Sequence, residues 1–453
     1  MGSLHHAPSP TDLKVTIHRH SKVFPSKKIE RRTMFLSNID QVLDFYVETV
    51  HFFEANDEFP PEKVAERLEK GLGEVLVAYD FLAGRLSCYD NDDGDEKMSR
   101  LELDCNSAGV GFAVASSEFC LNEIGDLVFP NPCFRQLVIG DLEKLSIEDR
   151  PLCVFQVTSF KCGGFAIGVS SNHTTLDGKS FKAFLENLAS LTANKPMVST
   201  PCHDRRLLAA RSPPHVTFSH LELVPFEAHP SIFQEAQNLD IKLFQLSSDD
   251  ILKLKSKAKC PTTTTTTTTN NIDSRKITSF NVLTAHVWRC KALSGNTQDP
   301  EMASTLLYAV DIRSRLNPPL PPTYCGNAVV SASVNLTLGE LREAPFSLLV
   351  DKVFEGATRI TDEYARSVID WGETHKGLPL GDLFVSSWWK LGFSDVDYAW
   401  GRPKYSCPLV VYRKDIVLFF PDIEGVAKGV NVLLALPSEE MVKFQNLFHK
   451  FLD

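Results

Sequence analysis

The chain has 453 residues, of which 43% are hydrophobic and 23% are charged. This balance is typical of a globular protein, and the length predicts two domains of roughly 200 residues each. The formal net charge of −10 excludes the broad basic surface that nucleic-acid binding requires, so we expect no nucleic-acid partner.

The N-terminus and the cysteines indicate a soluble, cytoplasmic protein. Residues 1–12 are polar and lack the apolar core of a secretory signal peptide. No segment approaches the roughly 20 consecutive apolar residues of a membrane span. The 11 cysteines form no CxxC pair and no Cys/His spacing of a zinc site, so we expect reduced thiols and no metal.

In the first half of the chain, periodicity and turn residues predict a helix, a hairpin and a strand–helix unit. The helix is predicted over 61–81, because apolar residues recur at helical spacing after a proline. The stretches on either side of the acidic turn 91–96 predict the arms of a β-hairpin. Two β-rich stretches meet at a Gly163-Gly164 turn, and a helix with an apolar face begins after Asp177.

The second half follows a crossover segment, 193–220, which is rich in proline, Ser/Thr and basic residues. A strand and a capped helix are predicted over 241–258. A run of threonines, 262–269, predicts a mobile surface loop, because nothing in it can build a core. An apolar helix over 279–293 and a strand that runs from residue 308 into a proline-rich loop come next.

Strands and helices alternate in both halves, which predicts an α/β fold with two domains. We place an N-terminal domain at 1–192, the crossover linker at 193–220 and a C-terminal domain at 221–453.

His173 and Asp177 form an HxxxD pair between the predicted strand and helix. A neutral imidazole, with a pKa near ~6.5, is the side chain best suited to accept a proton near neutral pH. Two structural alternatives stay open. His173 could simply end the strand while Asp177 caps the helix, or the two side chains could form a hydrogen-bonded structural pair.

Two further segments contain side chains that often bind substrates or take part in catalysis. Arg313 and Arg315 alternate on the predicted strand, where one could face inward and meet a carboxylate. The segment 385–403 is dense in Trp, Gly and Asp, but a tight aromatic turn at a strand end would have the same composition.

Matching segments in one order along most of the chain resemble the BAHD family of plant acyl-CoA-dependent acyltransferases. They are LSNID at 36–40, YDFLAGRL at 79–86, LDCNSAGVGF at 103–112, HTTLDG at 173–178, AHVWR at 285–289, DIRSRLNPPLPPTYCGN at 311–327, DYAWG at 397–401 and GVNVLLALPSEEMVKFQNLF at 429–448.

The resemblance implies two similar-sized chloramphenicol-acetyltransferase-like domains with a central channel between them. In this family the histidine of HxxxD is the general base, and the aspartate holds the loop by pairing with an arginine. Carried over, His173 is the base and Asp177 pairs with Arg313 or Arg315. Gly178 lets the loop turn close to the helix.

The resemblance also implies residues near the oxyanion and the coenzyme. Ser386 and Trp388 correspond to a hydroxyl and an indole that stabilise the oxyanion, although Trp388 as a buried packing residue stays open. The family's DFGWG block is written here as DYAWG, and Ala399 replaces a glycine, which questions the backbone geometry there. Coenzyme A binding is carried over onto Arg313, Arg315, Asp397, Trp400 and Gly401.

The implied function is transfer of an acyl group, hydroxycinnamoyl or aliphatic, from coenzyme A to an alcohol or amine. His173 would take the acceptor's proton directly, so no covalent intermediate forms. Acyl-CoA is then a co-substrate, no cofactor is tightly bound, and we expect a monomer. We favour a neutral acceptor, because the segment before Ser386 shows no obvious arginine that would clamp an acidic one.

Three alternatives remain at this point. A non-catalytic relative could be an accessory or scaffold protein in lipid or cuticle metabolism; the altered DYAWG block leaves this open, and the intact HxxxDG disfavours it. A carrier-protein condensation enzyme would have a second histidine where Asn172 stands. A cysteine nucleophile is disfavoured because Cys153 and Cys162 have no basic neighbour in sequence.

Overall fold

A computed structural model describes residues 10–89, 100–128, 131–225, 239–259, 277–297, 299–409, 413–422 and 429–453. Its strands are β1 (Val15–Val23), β2 (Arg32–Met34), β3 (Tyr46–Phe53), β4 (Arg85–Tyr89), β5 (Arg100–Cys105), β6 (Val110–Ser117), β7 (Cys153–Ser159), β8 (Phe165–Asn172), β9 (Leu223–Pro225), β10 (Asp240–Leu246), β11 (Ala303–Asp311), β12 (Val329–Thr337), β13 (Gly377–Pro379), β14 (Leu383–Ser387), β15 (Tyr405–Leu409), β16 (Ile416–Pro421) and β17 (Val430–Leu436). Its α-helices are α1 (Pro61–Val75), α2 (Gly178–Thr192), α3 (Ser248–Lys259), α4 (Ser279–Ser294), α5 (Leu338–Glu343), α6 (Phe346–Arg359), α7 (Asp362–Thr374) and α8 (Ser438–Leu452).

The chain divides into two units, each with its own six-stranded sheet, which confirms the predicted α/β fold of two domains. The linear boundaries 1–192 and 221–453 stay a prediction. In the structure, each unit combines several separate segments of the chain. Unit 1 consists of Met1–Pro214, Pro318–Ala328 and Leu391–Val410, and unit 2 of His215–Asn317, Val329–Lys390 and Val411–Asp453.

Unit 1 is built around a sheet with the strand order β1-β6-β7-β8-β3-β15, in which β6 and β7 run parallel and the other neighbours are antiparallel. Every residue of β8 is buried, which explains why its first five residues are apolar without alternation, since a strand covered on both faces does not alternate. Helices α1 and α2 pack against each other. The predicted hairpin is present as the antiparallel pair β4 and β5.

Helix α1 ends at Val75, earlier than the predicted residue 81. Asp80 explains part of the difference, because its carboxylate accepts the N–H of Phe81 over 2.9 Å and also binds Arg32. Such a side chain offers the backbone an alternative to the helical bond.

Unit 2 has the strand order β10-β17-β16-β14-β11-β12, with β14 parallel to both of its neighbours. Helix α4 packs against α6 and α8. It is buried on most sides, which explains why its sequence is apolar all round instead of amphipathic.

The placement of Arg313 and Arg315 on a strand is wrong. Strand β11 ends at Asp311, whose side chain accepts the backbone N–H of Arg313 over 3.0 Å and so turns the chain. The Arg313 guanidinium lies 3.1 Å from Asp311, and Arg315 Nη1 donates to two backbone carbonyls at 2.6 and 2.8 Å.

Two sequence predictions fall outside the described residues: the threonine loop 262–269 and the acidic hairpin tip 91–96. Among the residues that are described, no helix combines the length and the hydropathy that a bilayer crossing requires.

Candidate active site

His173 stands directly after β8, where the chain turns towards α2. Its backbone N–H donates to the carbonyl of Phe45 over 2.8 Å, and the two ring centroids lie 5.2 Å apart. The imidazole is part-exposed, whereas its Nδ1 is buried and makes no well-formed hydrogen bond within the described part of the chain.

The loop after His173 is closed by its own polar side chains. Asn172 Oδ1 accepts from the backbone N–H and the hydroxyl of Thr174 at 3.0 and 2.7 Å. The hydroxyl of Thr175 donates to the Asn172 carbonyl over 2.6 Å. Asn172 Nδ2 donates to Asp44 over 2.8 Å, so the loop is also attached to the residues that precede β3.

Asp177 is the N-cap of α2, with Oδ1 accepting the backbone N–H of Ser180 over 2.9 Å. Its Oδ2 accepts the backbone N–H of Ala328 over 3.1 Å. The part of the structural alternative that makes Asp177 the helix cap is thus confirmed. The pairing of Asp177 with Arg313 or Arg315 stays a prediction.

Arg205 binds the same loop, although its sequence position falls in the predicted linker. Its guanidinium is fully enclosed, and Nη1 donates to Asp40 Oδ1 at 2.8 Å and to the Thr174 carbonyl at 3.0 Å. Nη2 donates to the Thr175 carbonyl. Asp40 is fixed in turn by the backbone N–H and hydroxyl of Ser37, at 2.9 and 2.7 Å.

Asn327 completes this arrangement. Its Nδ2 lies 2.8 Å from Asp40 Oδ1, 2.8 Å from the carbonyl of His173 and 3.2 Å from the next carbonyl. The carbonyls of three consecutive loop residues, 173–175, therefore all accept from Arg205 or Asn327. We refer to Asp40, Arg205 and Asn327 as the loop clamp.

A backbone bridge brings the members of the loop clamp together within unit 1. Cys202 and Tyr324 form an isolated parallel bridge, supported by backbone hydrogen bonds of 2.9 and 2.7 Å around it. Gly326 then passes so close to Arg205 that a Cβ atom on it would lie 2.8 Å from Nε. Glycine at 326 is therefore required by this close approach.

Burial lowers the pKa of His173, and this effect outweighs the groups that favour the charged ring. Those groups are its own backbone carbonyl, the Asp177 carboxylate, the Asn327 side chain and the Asp40 carboxylate. The neutral imidazole, which is the form that accepts a proton, is consequently favoured near neutral pH.

Ser386 and Trp388 lie in unit 2. Ser386 is on β14 opposite Leu418 of β16, and the backbone N–H of Trp388 donates to the Phe419 carbonyl over 2.7 Å. Both side chains are part-exposed, so Trp388 is not a fully buried packing residue. Their role at the oxyanion stays a prediction.

The DYAWG block forms a tight aromatic turn in unit 1, as the structural alternative for this segment expects. The backbones of Tyr398 and Gly401 exchange hydrogen bonds of 3.2 and 3.0 Å, and the rings of Tyr398 and Trp400 stack with centroids 5.1 Å apart. Trp400 packs edge-on against Phe53 and Phe165, which stand at the ends of β3 and β8.

The backbone of this block accommodates Ala399. The residue with positive φ is Gly401, at +103°, whereas Ala399 lies outside that region. The doubt about backbone geometry that the sequence raises therefore disappears. Asp397 is exposed and Trp400 is buried, and coenzyme A binding by the block and by Arg313 and Arg315 stays a prediction.

Sequence reasoning alone does not identify the loop clamp. Asp40 and Asn327 are the last residues of two segments that carry the family resemblance, and that position is the available signal for them. Arg205 has no such signal, because one arginine of a basic linker looks like another until the fold buries it.

Comparison with known proteins agrees with the segment pattern. A family model described as the transferase family matches residues 13–451. Acyltransferase GLAUCE of Arabidopsis thaliana is 55% identical over 460 residues, which cover 99% of each chain. Two other proteins of that plant are each 32% identical: omega-hydroxypalmitate O-feruloyl transferase covers 97% of this chain and 94% of its own, and fatty alcohol:caffeoyl-CoA acyltransferase covers 96% and 98%.

Two crystal structures share the fold. Vinorine synthase has a TM-score of 0.71 at 22% identity and covers 95% of this chain and 96% of its own. TRI101 of F. sporotrichioides, in complex with coenzyme A and T-2, has a TM-score of 0.74 at 16% identity and covers 90% and 96%. At these identities the likeness concerns the fold alone.

Proposed function

Because the chain belongs to the transferase family of plant BAHD acyltransferases, we propose that it transfers an acyl group from coenzyme A to a hydroxyl group with His173 as the general base. The observation that carries the proposal is the state of His173. The residue is part-exposed although its Nδ1 is buried, and burial favours the neutral form of the imidazole.

His173 solves the central difficulty of the reaction, which is the high pKa of an alcohol. Nε2 accepts the hydroxyl proton while the acceptor oxygen attacks the thioester carbonyl, so that a C–O bond forms. The tetrahedral intermediate then collapses, the C–S bond breaks, and the imidazolium returns its proton to the coenzyme A thiolate. Nothing is oxidised or reduced, and no group is left on the enzyme.

Electrostatic stabilisation of the intermediate is the second part of the proposal. We assign it to the hydroxyl of Ser386 and the indole N–H of Trp388, since both are donors with part-exposed side chains. We assign coenzyme A binding to Arg313, Arg315 and the DYAWG block.

The substrate class follows from the names of the relatives. Omega-hydroxypalmitate O-feruloyl transferase and fatty alcohol:caffeoyl-CoA acyltransferase both unite a hydroxycinnamoyl donor with a long-chain aliphatic hydroxyl. We propose the same pairing here, with O-acylation of a neutral long-chain alcohol or an ω-hydroxy acid. We also propose a cytoplasmic monomer, which size-exclusion chromatography with light scattering would test.

The test is an activity panel with the purified full-length chain, in which release of free coenzyme A and product mass are measured. Feruloyl-, caffeoyl-, palmitoyl- and acetyl-CoA are each combined with 1-hexadecanol, 16-hydroxypalmitate, shikimate and a primary amine. We expect the feruloyl or caffeoyl donors with the long-chain hydroxyls to give the highest kcat/KM.

Replacing His173 with Ala is expected to lower kcat at least about 100-fold, the range of a lost general base. The matched control is His18→Ala, because His18 is an exposed histidine on β1 that binds only Ser116 among the contacts found for its side chain. A His173→Ala enzyme with full activity would contradict the proposal. A chain that is inactive with every pair would instead favour an accessory role in lipid or cuticle metabolism.

A further inference from the structure

Besides Nε of Arg205, two buried polar atoms at the active-site loop lack a well-formed hydrogen bond in the described part of the chain, and they belong to residues that contact each other. They are Nδ1 of His173 and Oδ1 of Asn327. The Asn327 amide nitrogen lies only 2.8 Å from the backbone carbonyl of His173. A ring N–H is a donor and an amide oxygen is an acceptor, so each can satisfy the other.

Unsatisfied buried groups of this kind are costly, at about 1–3 kcal/mol each. Two such groups on neighbouring side chains therefore favour a hydrogen bond between them. The Asn327 side chain already affects the charge state of the ring, because it raises the pKa of His173 against the lowering by burial.

The orientation of the Asn327 amide is fixed by its surroundings. Nδ2 faces three oxygen acceptors, namely Asp40 Oδ1 and the carbonyls of His173 and Thr174. A flipped amide would place its oxygen against all three, so the atom that remains for the imidazole is Oδ1. Asp40 is itself held by the buried Arg205 over 2.8 Å.

We propose that Asn327 is a positioning residue for His173, whose Oδ1 accepts the Nδ1–H of the imidazole and so leaves Nε2 unprotonated as the base. This inference rests on the proposed function of His173. The loop clamp would then have a second role besides binding the loop backbone. Arg205 and the amide nitrogen of Asn327 hold the backbone of the loop, and the amide oxygen of Asn327 selects the tautomer of the ring.

Within unit 1, the charged groups that act on the ring are the carboxylates of Asp177 and Asp40, and Arg205 pairs with the second of these. A change at position 327 leaves the Asp177 carboxylate in place but removes the hydrogen bond that Asn327 Nδ2 donates to Asp40 over 2.8 Å. A shift in the titration of His173 in an Asn327 variant therefore reports the loss of the whole side chain, and a separate measurement of the ring tautomer isolates the contribution of the amide oxygen.

The first experiment measures kcat/KM against pH for Asn327→Ala, with feruloyl-CoA and 16-hydroxypalmitate. The base must be neutral, so activity is complete above its pKa and is lost as the pH falls through it. Removing an acceptor that favours the charged ring moves this acidic limb to lower pH. We expect kcat to fall about 10- to 100-fold through misorientation, with KM for feruloyl-CoA changed less than about threefold.

The matched control is Asn187→Ala. Asn187 is fully buried in the same unit and donates to the Tyr79 hydroxyl and the Ser199 carbonyl, both at 2.9 Å. We expect it to lose stability and keep the wild-type pH profile. An Asn327→Ala enzyme whose acidic limb coincides with that of the wild type would overturn the assignment.

The second experiment needs no active variant. The full-length chain is labelled with ¹⁵N in the histidine rings, and the His173 signals are identified by their absence in His173→Gln. We expect a protonated Nδ1 and an unprotonated Nε2 at pH 7.5, with averaged shifts in Asn327→Ala. Protonated Nε2 in the wild type would refute the role of Asn327. Full activity of His173→Ala would instead refute the proposed function and leave this tautomer measurement valid.

Discussion

At the scale of single residues, the buried ion pair of Arg205 and Asp40 governs the stability of the active-site loop. Both side chains are fully enclosed, so removal of one leaves a charge that water cannot reach. We expect Arg205→Met to lower the free energy of unfolding by about 3–5 kcal/mol, the range for breaking a buried pair. Urea denaturation followed by tryptophan fluorescence measures the change.

The control for this prediction is Arg19→Met in the same unit. Arg19 also binds a carboxylate, Glu69, at 2.7 Å, but its side chain is 45% exposed. Solvent screens such a pair, and we expect a loss below about 1 kcal/mol. Equal losses of unfolding free energy for the two variants would show that burial does not make the Arg205–Asp40 pair more important for stability.

The two kinds of site residue differ in how far the sequence identifies them. His173 and Asp177 stand four positions apart, so one short motif contains both. The loop clamp joins positions 40, 205 and 327, and no short motif contains more than one of these polar residues. Their importance arises from burial, which depends on the folding of distant segments and leaves no local pattern.

At the scale of elements, one residue of the DYAWG turn has an unfavourable backbone conformation. Gly401 has φ of +103°, and a Cβ added there meets no atom within 4 Å. We expect Gly401→Ala to lower the melting temperature, with a conformational cost of about 1–3 kcal/mol and no steric one. Differential scanning calorimetry gives the measurement.

The comparison variant is Ala399→Gly, which restores the glycine of the family pattern. Because Ala399 does not have positive φ, a glycine there relieves no strain and adds freedom to the unfolded chain. We expect no gain in melting temperature. A clear gain would mean that Ala399 is strained after all.

Element boundaries are predictable where a local signal ends them. Helix α2 begins directly after Asp177, because that residue caps it. The arginines at 313 and 315 are misplaced for the same kind of reason. Alternation suggests a strand, but the Asp311 side chain binds the backbone two residues on and ends it.

At the scale of the whole molecule, two histidines enclosed in the cores make stability depend on pH. Burial lowers the pKa of His51 in unit 1 to about 4 and that of His286 in unit 2 to about 3, where nearby Lys257 and Arg289 add to the effect. An unfolded histidine has a pKa near about 6.5. Between these values the unfolded chain binds more protons, so stability falls as the pH drops below about 6.5.

His286→Phe tests this dependence, because the ring of His286 packs against Phe448 with centroids 4.7 Å apart and Phe keeps the aromatic contact. Wild type should lose about 2 kcal/mol more than the variant between pH 7 and pH 5, by urea denaturation at both values. The exposed His20 provides the control variant His20→Phe. Parallel pH dependences of wild type and His286→Phe would contradict the prediction.

Of the features of this molecule, the division of the chain into two units is the hardest to predict from the sequence. Periodicity shows where a strand lies but not which strand becomes its neighbour. Strand β15 pairs with β3 across more than 350 positions, and the segment 318–328 joins unit 1 through the Cys202–Tyr324 bridge. A single boundary near residue 192 would place both β15 and the segment 318–328 in a different domain from β3.

This interleaving sets the rules for building chimaeras with relatives. A cut at residue 192 would keep His173 but replace Arg205, Asn327 and β15 with the relative's residues, so the catalytic loop and strand β3 would lose their native partners. Exchanges that move 1–214 together with 318–328 and 391–410 respect the native pairing. To transfer donor and acceptor preferences, these three segments should therefore be exchanged together, instead of one continuous half of the chain.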